Sequence, residues 1–279
     1  MFRYLLEIGN FRIPAYGLMI VIGYFTAVHL SSKLAQPEGI EPIYIQSLSV
    51  WLIIGLVIGA RLWFVAEYWD YFRVNFIEIF KIWEGGMVFY GGFIGGLILG
   101  LLYLKIKRLY IPEVLDSIAP GLAVGIAIGR IGCFLNGCCF GKITNCAIGI
   151  RFPQRYLPPV YWSHLKRGFI ESDSLWSLPV IPTQLISTAS LLVIFGILWR
   201  IRRKVLFPGF HFSLFIGLYG LHRFVIDYFR YYEGSALVLK FLTLSQAFSI
   251  LMIMISIIFI IAGFKSRKAA RRREKRETF

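Results

Sequence analysis

Arg130 ends an apolar run. The residues from Ile118 to Ile128 carry no charge, and Gly129-Arg130-Ile131-Gly132-Cys133-Phe134-Leu135-Asn136-Gly137-Cys138-Cys139-Phe140-Gly141 follows directly. A guanidinium at bilayer depth is costly unless it meets a carboxylate, lines a wet cavity or binds an anion, so its default reading is functional. The structural alternative is an ion pair with Asp116 or Asp227. Two other segments carry similar groups. Arg61 follows Gly59-Ala60, with Glu67 beyond it, and Tyr219, Arg223, Asp227 and Arg230 recur at i, i+4, i+8 and i+11. That period puts a phenol, two guanidiniums and a carboxylate along one helix face. Arginines gathered at headgroup depth make a cationic pocket, and guanidinium pairs bidentately with phosphate while keeping its charge. The chemistry indicated is recognition of a phosphate-bearing lipid, with binding, transport and transfer all open.

Cys133, Cys138, Cys139 and Cys146 add four thiols, and their C-x4-C-C-x6-C spacing fits no zinc or haem pattern. In an oxidising compartment Cys146 has the option of a disulfide, and reduced packing residues are the alternative. Of the histidines, His222 lies beside Arg223 but points about 100° away from it on a helix. His29 and His211 read as interfacial or packing residues, and His164 falls in a loop.

The elements that must hold these groups are membrane helices. The 279 residues are 57% hydrophobic and only 16% charged, and the mean hydropathy is +0.68. Apolar stretches near 13–31, 48–66, 86–104, 114–134, 181–199, 207–228 and 241–263 are each sized for a bilayer core of roughly 30 Å, or ~20 helical residues. The expected fold is therefore all-α and polytopic, with about seven transmembrane helices. It forms one membrane-embedded domain over 1–264, followed by a basic tail over 265–279. The net charge of +15 is concentrated in Lys105-Ile106-Lys107-Arg108, Arg200-Ile201-Arg202-Arg203-Lys204 and the tail. Clusters just beyond apolar runs are a topology signal and do not indicate nucleic acid. They put the N-terminus outside and the C-terminus in the cytoplasm. The proline- and aromatic-rich loop at about 144–180 then becomes a small cap on the outer face. Met1 to Arg12 lacks the features of a signal peptide, so the first span is expected to be retained. Glycines at helical spacing (Gly55 and Gly59; Gly91, Gly95 and Gly96; Gly121, Gly125 and Gly129) predict close helix packing.

The run from Gly129 to Gly141 resembles the signature of the prolipoprotein diacylglyceryl transferases. Other segments are similar to that family in order along the chain: Tyr16-Gly17-Leu18-Met19, Gly59-Ala60-Arg61, Gly85-Gly86-Met87-Val88-Phe89-Tyr90-Gly91-Gly92, Asp116-Ser117-Ile118-Ala119-Pro120, Pro182-Thr183-Gln184-Leu185 and Arg223-Phe224-Val225-Ile226-Asp227-Tyr228-Phe229-Arg230. The pattern departs where Tyr90 replaces a usual histidine, Cys133 an asparagine, Cys138 a glutamate and Ile186-Ser187 a Tyr-Glu pair.

The resemblance implies transfer of the diacylglyceryl group of phosphatidylglycerol to the lipobox cysteine of a preprolipoprotein signal peptide. A thioether forms and glycerol 1-phosphate leaves, without metal or soluble cofactor, in the inner membrane. It implies catalytic roles for Arg130, Arg223 and Tyr90. Tyr16, Arg61, Asn136, Gly141, Tyr219, Asp227 and Arg230 join Arg130 in holding substrate. Its expected partners are phosphatidylglycerol, signal peptides and membrane lipid, with no nucleic acid. A diverged paralogue acting on another acceptor, a thiol-redox protein using Cys138 and Cys139, and a lipid transporter are the alternatives, although no internal repeat supports the last.

Overall fold

The computed structural model describes residues 4–8, 11–204, 206–231 and 242–277. Strands β1 (Tyr4–Ile8) and β2 (Phe11–Pro14) form an antiparallel pair that hydropathy did not signal. Nine helices follow among the described residues: α1 (Ala15–Ala35), α2 (Pro42–Glu67), α3 (Trp69–Phe72), α4 (Phe89–Ile106), α5 (Ile111–Asn136), α6 (Pro159–Lys166), α7 (Thr183–Ile201), α8 (Phe210–Phe229) and α9 (Leu244–Glu277). Six of them (α1, α2, α4, α5, α7 and α9) are long and apolar enough to cross a membrane. Helix α8 has 20 residues, about 30 Å at 1.5 Å per residue, but carries His211, His222, Arg223 and Asp227. The protein is an all-α, polytopic membrane protein. Helix α9 extends through the basic tail as far as Glu277, and residues 278–279 of that tail lie outside the described residues.

The chain divides into two compact units, one spanning Ser32–Val114 and the other comprising Met1–Ser31 with Leu115–Phe279. In the Ser32–Val114 unit, α2 and α4 approach along their glycines. A Cβ on Gly59 would lie 2.3 Å from the Gly91 carbonyl oxygen, and one on Gly95 would lie 2.3 Å from that of Gly55. No larger side chain fits against these backbones, and the close approach supplies packing attraction where lipid gives no hydrophobic drive.

In the other unit α1 and α5 pack equally closely, with a Cβ on Gly23 placed 2.7 Å from the Gly125 oxygen. Ala119, Ala123 and Ala127 of α5 then meet Leu191, Ile194 and Leu198 of α7 and Phe215 of α8 in a buried core. Helices α8 and α9 join through small residues, where Ser256 Oγ donates to the Ser213 carbonyl at 2.6 Å. Asp116 serves α8 as a distant N-cap. Its two oxygens accept the Gly209 and Phe212 amides at 2.8 and 2.9 Å, satisfying donors that a helix start leaves open.

The segment between α5 and α7 has a core of its own, made by Phe140, Phe152, Val160 and Val180. Tyr161 donates to the Ser174 carbonyl at 2.7 Å, and the Ser177 hydroxyl accepts the Phe152 amide at 2.9 Å. His164 is fully buried; its Nδ1 accepts the Leu178 amide at 3.3 Å. Burial pushes the His164 pKa below its ordinary value.

Candidate functional site

The site begins where α5 stops. Gly137 has φ of 72°; its amide bonds the Phe134 carbonyl, and the Cys138 amide bonds that of Cys133, both at 3.1 Å. This paired closure about a left-handed glycine is a Schellman ending, and it stacks residue 138 over residue 133. Cys139 also takes a left-handed conformation, φ 57°, which folds the chain back toward α5. The Sγ atoms of Cys133, Cys138 and Cys139 consequently lie within 4.8 Å of one another. The start of α7 pins this turn, with Gln184 Nε2 donating to the Cys138 carbonyl at 2.7 Å and Thr183 Oγ1 to that of Cys139 at 2.8 Å. Gln184 and Thr183 are both buried. Sequence reading gave this pair no task; the Pro-Thr-Gln triplet before an apolar run was the signal.

Gly141 is buried between backbones. Its amide bonds Ile181 at 2.9 Å, and a Cβ there would lie 2.7 Å from the Ile181 and Phe229 carbonyl oxygens. The turn at the end of α5 is made by Gly137, and Gly141 acts through its lack of a side chain. Asn136 closes α5 beside the Cys138 thiol. All four cysteines are free thiols and Cys146 is exposed, so the structure contains no Cys146 disulfide.

Between α1 and α5 runs a cleft of about 500 Å³, walled by Ile20, Ala27, Leu122 and Ile126 and reaching Arg130 with Tyr16 beside it. Arg130 is partly buried and faces Tyr219 of α8 together with Cys133 and Cys139. Neither expected carboxylate pairs with it. Asp116 caps α8 and lies 14 residues up the helix, about 21 Å away at 1.5 Å per residue. Asp227 belongs to a different network.

That network joins α8 to α9. Asp227 is buried, with its carboxylate 3.5 Å from Arg223 Nη2, one turn back on α8. Its other oxygen accepts the Thr243 hydroxyl. Thr243 caps α9: Thr243 Oγ1 accepts the Gln246 amide at 3.1 Å, and Gln246 Oε1 accepts the Thr243 amide at 3.0 Å. This reciprocal pair is a capping box, legible in Thr243-Leu244-Ser245-Gln246 but not used in the sequence reading. Arg223 Nε also donates to Ser245 Oγ at 2.7 Å. Arg230, one residue beyond α8, donates from Nη2 to Cys139 Sγ at 3.3 Å. His222 is buried with Nδ1 2.7 Å from Ser190 Oγ.

Arg130 therefore lines the end of the cleft with Cys139, to which Arg230 donates, while Arg223 is held in the α8–α9 network. His222 lies within electrostatic reach of Arg130 and Arg223, and Cys139 within reach of Arg230 and Arg130. Hydrogen bonds from the Cys133 and Cys138 thiols hold Cys139 well below the usual thiol range, and the two guanidiniums add to the effect.

The Ser32–Val114 unit holds the other two predicted residues. Arg61, expected to hold substrate, is buried and grips the 78–86 loop. Nε donates to the Ile79 carbonyl at 2.8 Å, Nη1 to those of Gly85 and Gly86 at 2.8 and 3.1 Å, and Nη2 to that of Glu78. Phe64 and Phe72 cover its face. Four of the five N–H donors of a guanidinium are thereby engaged by protein carbonyls. Tyr90 is the second residue of α4 and is 46% exposed.

Residues 3–262 match the model of the prolipoprotein diacylglyceryl transferase family. A phosphatidylglycerol–prolipoprotein diacylglyceryl transferase of Francisella tularensis subsp. mediasiatica is 31% identical over 270 residues, 94% of each chain. One from Francisella tularensis subsp. novicida is 30% identical over the same length and the same shares.

Proposed function

The chain belongs to the prolipoprotein diacylglyceryl transferase family, and we propose that it moves the diacylglyceryl group of phosphatidylglycerol to the lipobox cysteine of a preprolipoprotein. The observation that carries this reading is the apolar cleft ending at a partly buried arginine. Such a groove accepts an acyl chain along its wall and an anionic headgroup at its end. In the reaction the lipobox sulfur attacks the glyceryl carbon bonded to phosphate. A C–S bond forms, the C–O bond breaks, and glycerol 1-phosphate departs.

Negative charge grows on the leaving phosphate, and fixed cations in a site of low dielectric act most strongly there. Arg130 and Arg223 take this role. Asp227 holds Arg223 in register, and Arg230 supports the headgroup beside Cys139. Tyr16, Tyr219 and Asn136 supply neutral hydrogen bonds to lipid or peptide. Tyr90 orients phosphate or incoming thiol. The thiol proton ends on the departing phosphate, whose second pKa is about 6. Arg61 and Gly141 act through the backbones they hold. The positive clusters support an outer N-terminus, a cytoplasmic C-terminus, a cap on the outer face and residence in the cytoplasmic membrane.

The test is purified protein in detergent with phosphatidylglycerol and a lipobox peptide. Release of glycerol phosphate together with a diacylglyceryl mass on the peptide cysteine is the expected result. Retention of bound lipid without transfer overturns it and favours a relative acting on another acceptor, for which Tyr90 and Cys138 are the motivating departures.

A further inference from the structure

The cysteine triad is unexplained by this chemistry, which asks only for the substrate's thiol. We propose that Cys133, Cys138 and Cys139 form a three-thiolate site for a soft monovalent cation, Cu(I). Sequence spacing argued against a metal because C-x4-C-C fits no familiar pattern. The fold removes that objection, since the Schellman ending stacks 133 under 138 and the left-handed Cys139 brings the third sulfur back.

The geometry suits three-coordination. With metal–sulfur bonds of about 2.3 Å, the value for zinc thiolates, three sulfurs in a plane lie about 4 Å apart. The observed sulfurs are all within 4.8 Å, so closing the site needs only side-chain adjustments of less than an ångström. No imidazole or carboxylate shares that spacing among the described residues. A structural zinc site takes four protein ligands and a three-ligand zinc site adds a water; soft thiolate donors suit Cu(I), whose shell three sulfurs complete without a fourth ligand.

The surroundings meet the other requirements of such a site. Three thiolates and one Cu(I) carry a net charge of −2. Arg230, 3.3 Å from Cys139 Sγ, and Arg130, within electrostatic reach of it, supply the compensating charge. Outer groups that hold ligands in place matter nearly as much as the ligands. Thr183 and Gln184 do this through the carbonyls of Cys139 and Cys138. Binding forms three Cu–S bonds and releases to buffer whichever thiol protons remain. Copper stays monovalent, so no oxidant is involved.

The experiment titrates reduced, anaerobic, full-length protein with Cu(I) buffered by a competing chelator. It follows the thiolate-to-copper charge-transfer band and the copper–sulfur coordination number by X-ray absorption. One Cu(I) per chain with three sulfurs is expected. Cys139→Ser and Cys133→Ser should each weaken binding ~100-fold or more, and Arg230→Gln ~10-fold, as second-shell losses do. Cys146→Ser should leave binding unchanged, since Cys146 is exposed outside the triad. Wild-type protein with less than about one-fifth equivalent of copper, two sulfurs in the absorption spectrum, or undiminished affinity in Cys139→Ser overturns the proposal. Equal loss in Cys146→Ser overturns it too. The wild-type coordination number decides the matter even where a serine variant fails to fold.

Discussion

Replacing Asp227 by asparagine tests whether the α8–α9 junction is an electrostatic device for aiming Arg223. Asparagine keeps the shape and an oxygen for the Thr243 hydroxyl but removes the charge. At the observed separation of 3.5 Å the gross attraction is about 5 kcal/mol for an effective dielectric constant near 20. Most of that is offset by desolvation of the fully buried carboxylate, and solvent reaches Arg223, whose side chain is 17% exposed. A net coupling of about 1–2 kcal/mol remains. Weakening of the charge-assisted Thr243 bond raises the cost of the single substitution to about 2–3 kcal/mol. Coupling should be measured as a double-mutant cycle of Asp227→Asn and Arg223→Gln, using reversible unfolding in mixed micelles. In the transferase assay Asp227→Asn should lower kcat about 10- to 100-fold, because a guanidinium displaced by an ångström is poorly placed for the phosphate. A coupling below about 0.5 kcal/mol, or unchanged kcat, refutes the reasoning.

Arg130→Lys should cut kcat/KM by ~100-fold or more in the same assay while lipid still copurifies, because a point charge cannot reproduce the planar fork. Gly59→Ala should destabilise the Ser32–Val114 unit by about 1–3 kcal/mol, as overpacking does; its Cβ would sit 2.3 Å from the Gly91 oxygen, and thermal unfolding in detergent reads the loss. The cap should loosen in acid. Burial holds His164 below its ordinary pKa of 6.5, so the folded cap keeps it neutral while the unfolded chain takes up a proton. The stability that depends on the neutral ring is complete above pH 6.5 and declines as pH falls through that value toward the depressed pKa. Hydrogen exchange at the Leu178 amide, which bonds His164 Nδ1, should speed up over that window and lose its pH dependence in His164→Asn.

What could be read from the sequence divides along a physical line. Helices and their small-residue seams follow from hydropathy and period, and the face shared by Tyr219, Arg223, Asp227 and Arg230 follows from 3.6 residues per turn. These are local properties, and α8 shows them in the i, i+4 pair of Arg223 and Asp227, whereas Arg230 lies one residue beyond the helix in extended backbone and meets Cys139. Arg61 shows what is not local: four backbone carbonyls reach it from a loop about 20 residues away, and no periodicity encodes where a loop's carbonyls point. Asp116, an expected partner of Arg130, likewise caps a helix that starts 94 residues later. Thr243-Leu244-Ser245-Gln246 and Gly137 are different, since a capping box and a left-handed helix ending are sequence signals that were there to be read. The left-handed ending at Gly137 places Cys138 over Cys133. The cysteine triad thus owes its existence to a helix-termination rule, and helix caps must be assigned before cysteine spacings are compared with metal motifs.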